Sequence, residues 1–509
     1  MEGQIDSGQD AIRLHASDNV LIALRDLGPG TPVGGVTLAE TVKRGHKIAA
    51  TAIAAGQPVL RYGQIIGNAT ADIPAGAHVH TQNLGMGPHS TDYAIGSESR
   101  PLRLATEDRT FNGYLRSDGK VGTRNYLGIL TSVNCSASVA RFIAEAAEKA
   151  PWLADFENVD GVVPIVHQTG CGMSATDEGY QTLFRTLAGY ARNPNFGAIL
   201  LVGLGCEVMQ VADLVGREKL RDDNLFRYMT IQQEGGTRRT IERGLEALRE
   251  LGEAANRARR TPQPIRHLTV GLQCGGSDGY SGITANPALG HASDLLVAHG
   301  GTTILSETPE IYGAEHLLTR RAVSREVGEK LIDRIRWWED YTARNMGEMN
   351  NNPSPGNKRG GLTTILEKSL GAVAKGGTAP LSGVYKFAEP IATPGFVYMD
   401  SPGYDPASVT GQIASGATMI VFTTGRGSVS GYKPSPCLKL ATNSEMYARM
   451  SEDMDVNCGD IISAGVSVEA KGREIFEAMI RTASGTKTKS EELGFGGAEF
   501  VPWQIGAVM

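Results

Sequence analysis

The sequence lacks the features that mark several common protein classes. It has no basic excess. The formal net charge is −6 and the pI is near 6.0, which counts against a nucleic-acid-binding surface. A local cluster of Arg, Lys and amides can still hold a small anion on such a chain. The opening stretch MEGQIDSGQDAIRLHASDN has no apolar centre and does not read as a signal peptide. No run approaches the ~18 continuous apolar residues of a membrane helix. No GxGxxG follows the first strand candidate and no GxxxxGKS/T occurs, so dinucleotide and P-loop readings lose their main support. Cysteine is scarce, six in 509 residues, and no pair is spaced as CxxC. That spacing is neither a zinc ribbon nor a clustered electron carrier. With no export signal, reduced thiols or metal ligands are expected rather than disulfides, and the cytoplasm is the expected compartment.

Glycine, in contrast, is abundant. The 64 glycines exceed the roughly 7% average. They fall in short turns after apolar runs: GLGCE (203–207), CGGSDGYSG (274–282) and TTGRGS (423–428). In residues 10–90, short apolar runs such as Val20–Leu24 and Pro58–Leu60 alternate with glycine turns, which predicts a compact β-rich module. Residues 91–110 belong to a polar linker that starts near Pro88. From Asn112 the pattern becomes strand, glycine turn, helix. Strands are expected at Tyr126–Leu130, Val159–Val166, Ala198–Val202, Leu268–Leu272, Thr302–Leu305, Phe396–Met399 and Met419–Phe422. Ser138–Lys149 reads as a helix with Val139, Phe142, Ile143 and Ala146 on one face. Alternating strands and helices imply an α/β body with parallel sheets. A boundary falls in the polar stretch Asn256–Pro264, giving domains at 111–262 and 263–509. NNPSPGNKRGG (351–361) reads as a long turn-rich loop whose Pro and Gly forbid a continuous helix.

Four cysteines share one context: Cys135, Cys171, Cys206 and Cys274 each follow a strand candidate. The carboxyl ends of parallel strands form the ligand crevice, so four thiols can converge on one rim as soft metal ligands. The alternative is that each is a small apolar residue. In the N-terminal module, His78 and His80 form an HVH pair, and side chains at i and i+2 of a strand share a face. His46, beside Lys47, and His15 complete a candidate set for metal binding or proton transfer; the alternative is partly exposed polar residues. For a polyhydroxy carboxylate the candidates are Ser277, Asp278 and Asn286 on the 274–290 loop, Asn357 and Lys358, and Arg426, whose guanidinium can grip a carboxylate with two bonds.

With these stretches, the chain resembles the altronate/galactarate dehydratase family over nearly its full length. The matching segments are RGHK (44–47), GAHVH (76–80), DGKVGTRN (118–125), GLGCE (203–207), QCGGSDGYSGITANP (273–287), NPSPGNK (352–358) and TTGRG (423–427). The resemblance implies an N-terminal SAF-like β-clip module, then a flavodoxin-like α/β domain and a C-terminal α/β domain. It implies dehydration of a sugar acid to a 2-keto-3-deoxy acid, dependent on Fe2+, with Mn2+ as a substitute and an iron–sulfur cluster as an alternative. In that case Cys135, Cys171, Cys206 and Cys274 are the cluster ligands. Altronate-type members carry the HVH pair, and PEIYGAEHLL (309–318) is similar to that side. Altronate therefore ranks first and galactarate second. Sulfolactate sulfo-lyase follows, since its module and body are separate subunits, and then a non-catalytic sugar-acid binder. A small-molecule sugar acid is the expected partner, with no nucleic acid and no membrane, in a homo-oligomer with the dimer as default.

The chemistry sets the expected roles. The C–H beside a carboxylate is weakly acidic, so a base needs a cation that stabilises the charge developing on proton loss. His46 and Lys47 are the candidates for proton transfer, His15, His78 and His80 for metal or hydroxyl contact. A module on a linker is also expected to act as a lid.

Overall fold

Strands buried on both faces read as largely apolar runs, and five runs after residue 268 fit this: TVGLQC, TTIL, GFVYM, MIVFTT and CLKLA. In the computed structural model, which describes residues 9–87, 91–220 and 223–506, they form most of a seven-stranded sheet. Positions 88–90 of the expected linker lie outside the described residues. The strand order is 381–385, 395–399, 302–305, 269–274, 419–424, 437–441, 456–457, with every pairing parallel. The chain moves to either side of Thr269–Cys274, so the crevice opens at the carboxyl ends of that strand and its two neighbours.

The middle domain has a second parallel sheet, ordered 161–165, 126–131, 196–203, 226–230. Helices Ala137–Glu148 and Thr237–Ala255 cover one face. On the other face Glu178–Ala191 packs against Asp405–Ala414 of the C-terminal domain, so the two sheets share one core. At their crossing a Cβ on Gly189 would meet the Ala414 carbonyl at 2.1 Å. On Ala137–Glu148, Val139 and Ile143 are buried, but Phe142 is 49% exposed. Ala140, Ala144 and Ala147 complete the buried face instead.

Residues 9–87 form short antiparallel strands. Ala11–Ile12, Val20–Ala23, Lys47–Ala49 and His78–Val79 make one sheet; Pro58–Arg61, Gln64–Ala69 and Leu84–Gly85 make another. Between Arg61 and Gln64, Tyr62 (φ 59) and Gly63 (φ 70) turn with positive φ at both positions, the pattern of a type I′ hairpin.

Two sequence expectations are corrected. Arg260–Pro264 is not only a boundary stretch; it pairs antiparallel with Thr110–Leu115. Within 351–361, Pro355–Arg359 is a short helix. Ser354 and Asn357 form its capping box and Pro355 occupies the first turn, where a missing N–H costs nothing. Among the described residues, no helix is long and apolar enough to cross a membrane.

Candidate active site

The register of the first module sheet decides which histidines meet. Lys47 pairs with Val79 and Ile48 with His78, which brings His46 beside the HVH pair. The ring centroids of His46, His78 and His80 lie 4.9 to 5.4 Å apart, and one donor nitrogen from each lies within 4.8 Å of the others. His46 Nε2 faces the Arg359 carbonyl at 3.3 Å, so that nitrogen carries the proton. His46 Nδ1 then accepts from His78 Nε2 at 2.9 Å. His80 Nδ1 is buried with no hydrogen-bond partner. Burial holds all three imidazoles neutral. It lowers His46, with Lys47 adding to the effect, takes His78 to about 4 and takes His80 to about 3. Three neutral imidazoles and an orphaned ring nitrogen are a donor set that suits a ferrous ion. The Arg359 carbonyl would fix the orientation of one ligand.

A buried ion cluster seats the module on the body. Lys47 Nζ donates to Glu367 at 2.9 Å and to the Gly361 carbonyl at 2.7 Å. Arg61 pairs with the same carboxylate at 2.5 Å and reaches the Gly279 carbonyl at 2.7 Å. All three side chains are closed to solvent. Burial alone would raise Glu367, but Lys47 and Arg61 bring it to about 2. The backbones meet closely here: a Cβ on Gly279 or on Gly361 would strike the Gly45 carbonyl at 2.1 or 2.3 Å. Only glycine permits that approach.

Pro355–Arg359 is common to the histidine cluster and to a cavity of about 490 Å³, since its Asn357 lines the cavity and its Arg359 carbonyl meets His46. Gly275, Glu310, Asn352, Lys368 and Asp405 also line it, at the carboxyl ends of the C-terminal sheet. Lys368 Nζ contacts Glu310 at 2.6 Å and Asn352 at 2.9 Å. Burial, reinforced by Glu310, raises Asp405 to about 6. Cys274 and Glu307, behind the lining, form a second group with Glu310, their donor atoms within 4.8 Å. This one already holds cations: Lys375 Nζ lies 2.7 Å from Cys274 Sγ and 3.8 Å from Glu307. Glu307 has φ 72, and neither carboxylate oxygen has a hydrogen-bond partner. Burial raises its pKa well above the ordinary carboxylate value. A left-handed non-glycine residue with an orphaned acid is strain of the kind concentrated at functional sites.

The structure distributes the sequence candidates unevenly. His15 is exposed, bonded to Ser17, and stands apart from the other three histidines. Lys47 is spent on the interface. The expected convergence of four cysteines on one rim is corrected: Cys274 belongs to the C-terminal sheet, and Cys135, Cys171 and Cys206 to the middle one. Asp278 and Asn286 are buried and bonded to protein partners, Asp278 to Thr442 and Asn443, Asn286 to Thr423 and Gly371. They shape the loop rather than line the cavity. Ser277 is buried and offers its carbonyl to Asn357. Lys358 is half-buried and Arg426 exposed, and neither makes an ion pair among the described residues. Sequence reasoning missed Glu367, Arg61, Lys368, Lys375 and Asp405. The signal was present in KSLGAVAK, where two lysines stand seven apart in an otherwise small and apolar run.

This architecture, a β module clamped over the crevice of a two-sheet α/β body, is that of a sugar-acid hydro-lyase. Residues 9–87 match the altronate/galactarate dehydratase SAF domain, 113–256 the second domain of D-galactarate dehydratase/altronate hydrolase, and 265–508 the D-galactarate/altronate dehydratase C-terminal domain. The chain belongs to the altronate/galactarate dehydratase family. It is 37% identical to an altronate dehydratase of Bacillus subtilis (strain 168), over 95% of this chain and 97% of that one. It is 39% identical to the altronate dehydratase of Escherichia coli (strain K12), over 95% and 97%. It is 37% identical to the galactarate dehydratase (L-threo-forming) of the same organism, over 95% and 94%.

Proposed function

We propose that the chain dehydrates altronate to a 2-keto-3-deoxy acid, with a ferrous ion held by His46, His78 and His80. The convergence of three neutral imidazoles, joined to the cavity lining through the Pro355–Arg359 helix, carries this reading. Bound there, the ion would supply Lewis acidity toward the substrate carboxylate and the leaving hydroxyl. Manganese would serve the same donors.

The cavity residues define the rest. Asp405, with its proton affinity raised to about 6, is ionised but basic near neutrality and is the candidate to take the proton beside the carboxylate. The Lys368 ammonium faces the charge that develops as the proton leaves. Asn352 and Asn357 offer amide partners to hydroxyls, and the unpaired Lys358 and Arg426 are cations available to an incoming acid. His46 has one lone pair, on Nδ1, because its other nitrogen donates to Arg359. It can hold metal or accept a proton, not both, and the cluster geometry favours ligation.

The cavity's charge favours the singly charged hexonate. Among the lining residues Glu310, Glu348 and Asp405 stand against Lys368 alone, a balance that disfavours a second carboxylate inside the cavity and leaves Lys358 and Arg426, outside the lining, to meet the first. The test is product formation. Anaerobic protein with Fe2+ is offered hexonates and hexarates, and 2-keto-3-deoxy acids are assayed. Turnover of altronate supports the reading, and turnover of galactarate alone keeps the reaction and discards the charge argument. Sulfite release from sulfolactate, with no sugar acid consumed, overturns it.

A further inference from the structure

Cys135, Cys171 and Cys206 take no part in the site above. Each follows one of three neighbouring parallel strands of the middle domain: Tyr126–Thr131, Gly161–Ile165 and Phe196–Gly203. All three thiols are exposed and unbridged.

The loops that carry them are tied together beside the thiols. Asn134 N–H donates to the Thr169 carbonyl at 2.9 Å, and Asn134 Nδ2 to the His167 carbonyl at 3.1 Å. These bonds join the first loop to the second. Met209 N–H donates to the Gly170 carbonyl at 3.0 Å, joining the second to the third. Ser132 Oγ donates to Glu207 at 2.7 Å, joining the first to the third. Gly170 presses so close that a Cβ would meet the Ser132 carbonyl at 2.3 Å. The fold therefore holds the three cysteine-bearing loops together on one rim. That rim is where strands leave Tyr126–Thr131 to either side, the ligand crevice of an open parallel sheet.

Three soft donors suit a soft metal centre, and their dispersal counts against a single ion. Among the described residues, the three thiols do not form a set with all donor atoms within 4.8 Å. They are too dispersed to close on one ion. A cubane cluster takes one thiolate per iron at separate corners, so it accepts donors from three separate loops. Two further contacts suit such a centre. Gln232 Nε2 donates to Cys206 Sγ at 3.4 Å, the kind of sulfur hydrogen bond that tunes a cluster. Cys135 lies just before the helix Ala137–Glu148, whose N-terminus favours a thiolate.

We infer that Cys135, Cys171 and Cys206 ligate a four-iron, four-sulfide cluster whose fourth iron is open to water or a small carboxylate. Ligation releases the three thiol protons to solvent and leaves the protein's redox state unchanged. Cys274 is not a ligand. The centre is separate from the histidine-held ferrous ion, so it stands or falls independently of the dehydratase reading.

The test uses the full chain isolated without oxygen, measured for iron, acid-labile sulfide, visible absorption and the EPR signal after reduction. The expected result is about four sulfides per chain with the broad visible absorption of a cluster. Cys135→Ser, Cys171→Ser and Cys206→Ser each lose absorption and sulfide while keeping the wild-type far-UV circular dichroism. Cys274→Ser and His78→Ala keep both signals, and His78→Ala loses turnover. Wild-type protein without labile sulfide overturns the inference. So does a rim variant that keeps the full absorption, or a Cys274→Ser variant that loses it.

Discussion

The histidine cluster of the module and the Cys274–Glu307–Glu310 cluster of the body both bring three ligand atoms within 4.8 Å. Their charge separates them. The histidines are neutral, and one ring nitrogen has no partner. The body cluster is already compensated by Lys375 and by Lys368, 2.6 Å from Glu310. A dication entering the first meets lone pairs; entering the second, it meets two ammonium groups. Donor geometry alone does not define a metal site, because the protein's own cations can occupy one.

The largest effect is expected where the two regions join. Glu367→Gln leaves Lys47 and Arg61 buried without their counter-charge, so stability should fall by about 3–5 kcal/mol, read from denaturant melts. A loss below about 1 kcal/mol would mean the module is not clamped this way.

Asp405→Asn comes next. Its folded-state proton affinity is raised to about 6 from 3.8. As pH rises from about 4 to 6 the unfolded chain ionises while the native one does not. Native stability therefore falls across that window and stays lowered above it. The substitution should flatten this slope and stabilise the fold at neutral pH by up to about 3 kcal/mol, while abolishing turnover. Melting temperatures from pH 4 to 8 check the first claim and product assays the second.

The comparison sharpens with Lys375→Met, which removes the cation beside Cys274 and Glu307. A divalent metal should then raise the melting point of the variant beyond its effect on the wild type. The stabilisation is about 2.7 kcal/mol when metal is at a hundredfold its dissociation constant. If the lysine is not the occupant, variant and wild type will respond alike.

The seven body strands expected from the sequence are placed to within a residue or two, because they are largely apolar runs, whereas Phe226–Thr230, Leu381–Tyr385 and Cys437–Ala441, broken by Arg227, Ser382 and Lys439, were not among them. Arg260–Pro264 was not legible, since RTPQP contains two prolines and pairs through one edge only. The strand-end position of each cysteine could be read, but sheet membership is a tertiary fact, so four thiols read as one rim are three and one. HVH spacing placed His78 and His80 on one face. That His46 joins them depends on the pairing of Ile48 with His78, which no local pattern encodes. Glu367 was invisible for a related reason: its partners lie 306 and 320 residues away.

The most direct test of the central claim is ferrous-dependent turnover of altronate by His78→Ala beside Cys274→Ala. The account predicts that His78→Ala loses at least about a hundredfold in kcat/KM and no longer responds to added Fe2+, while Cys274→Ala keeps its iron response. Wild-type iron dependence in His78→Ala, with that dependence lost in Cys274→Ala, would contradict it and move the ion to the body cluster.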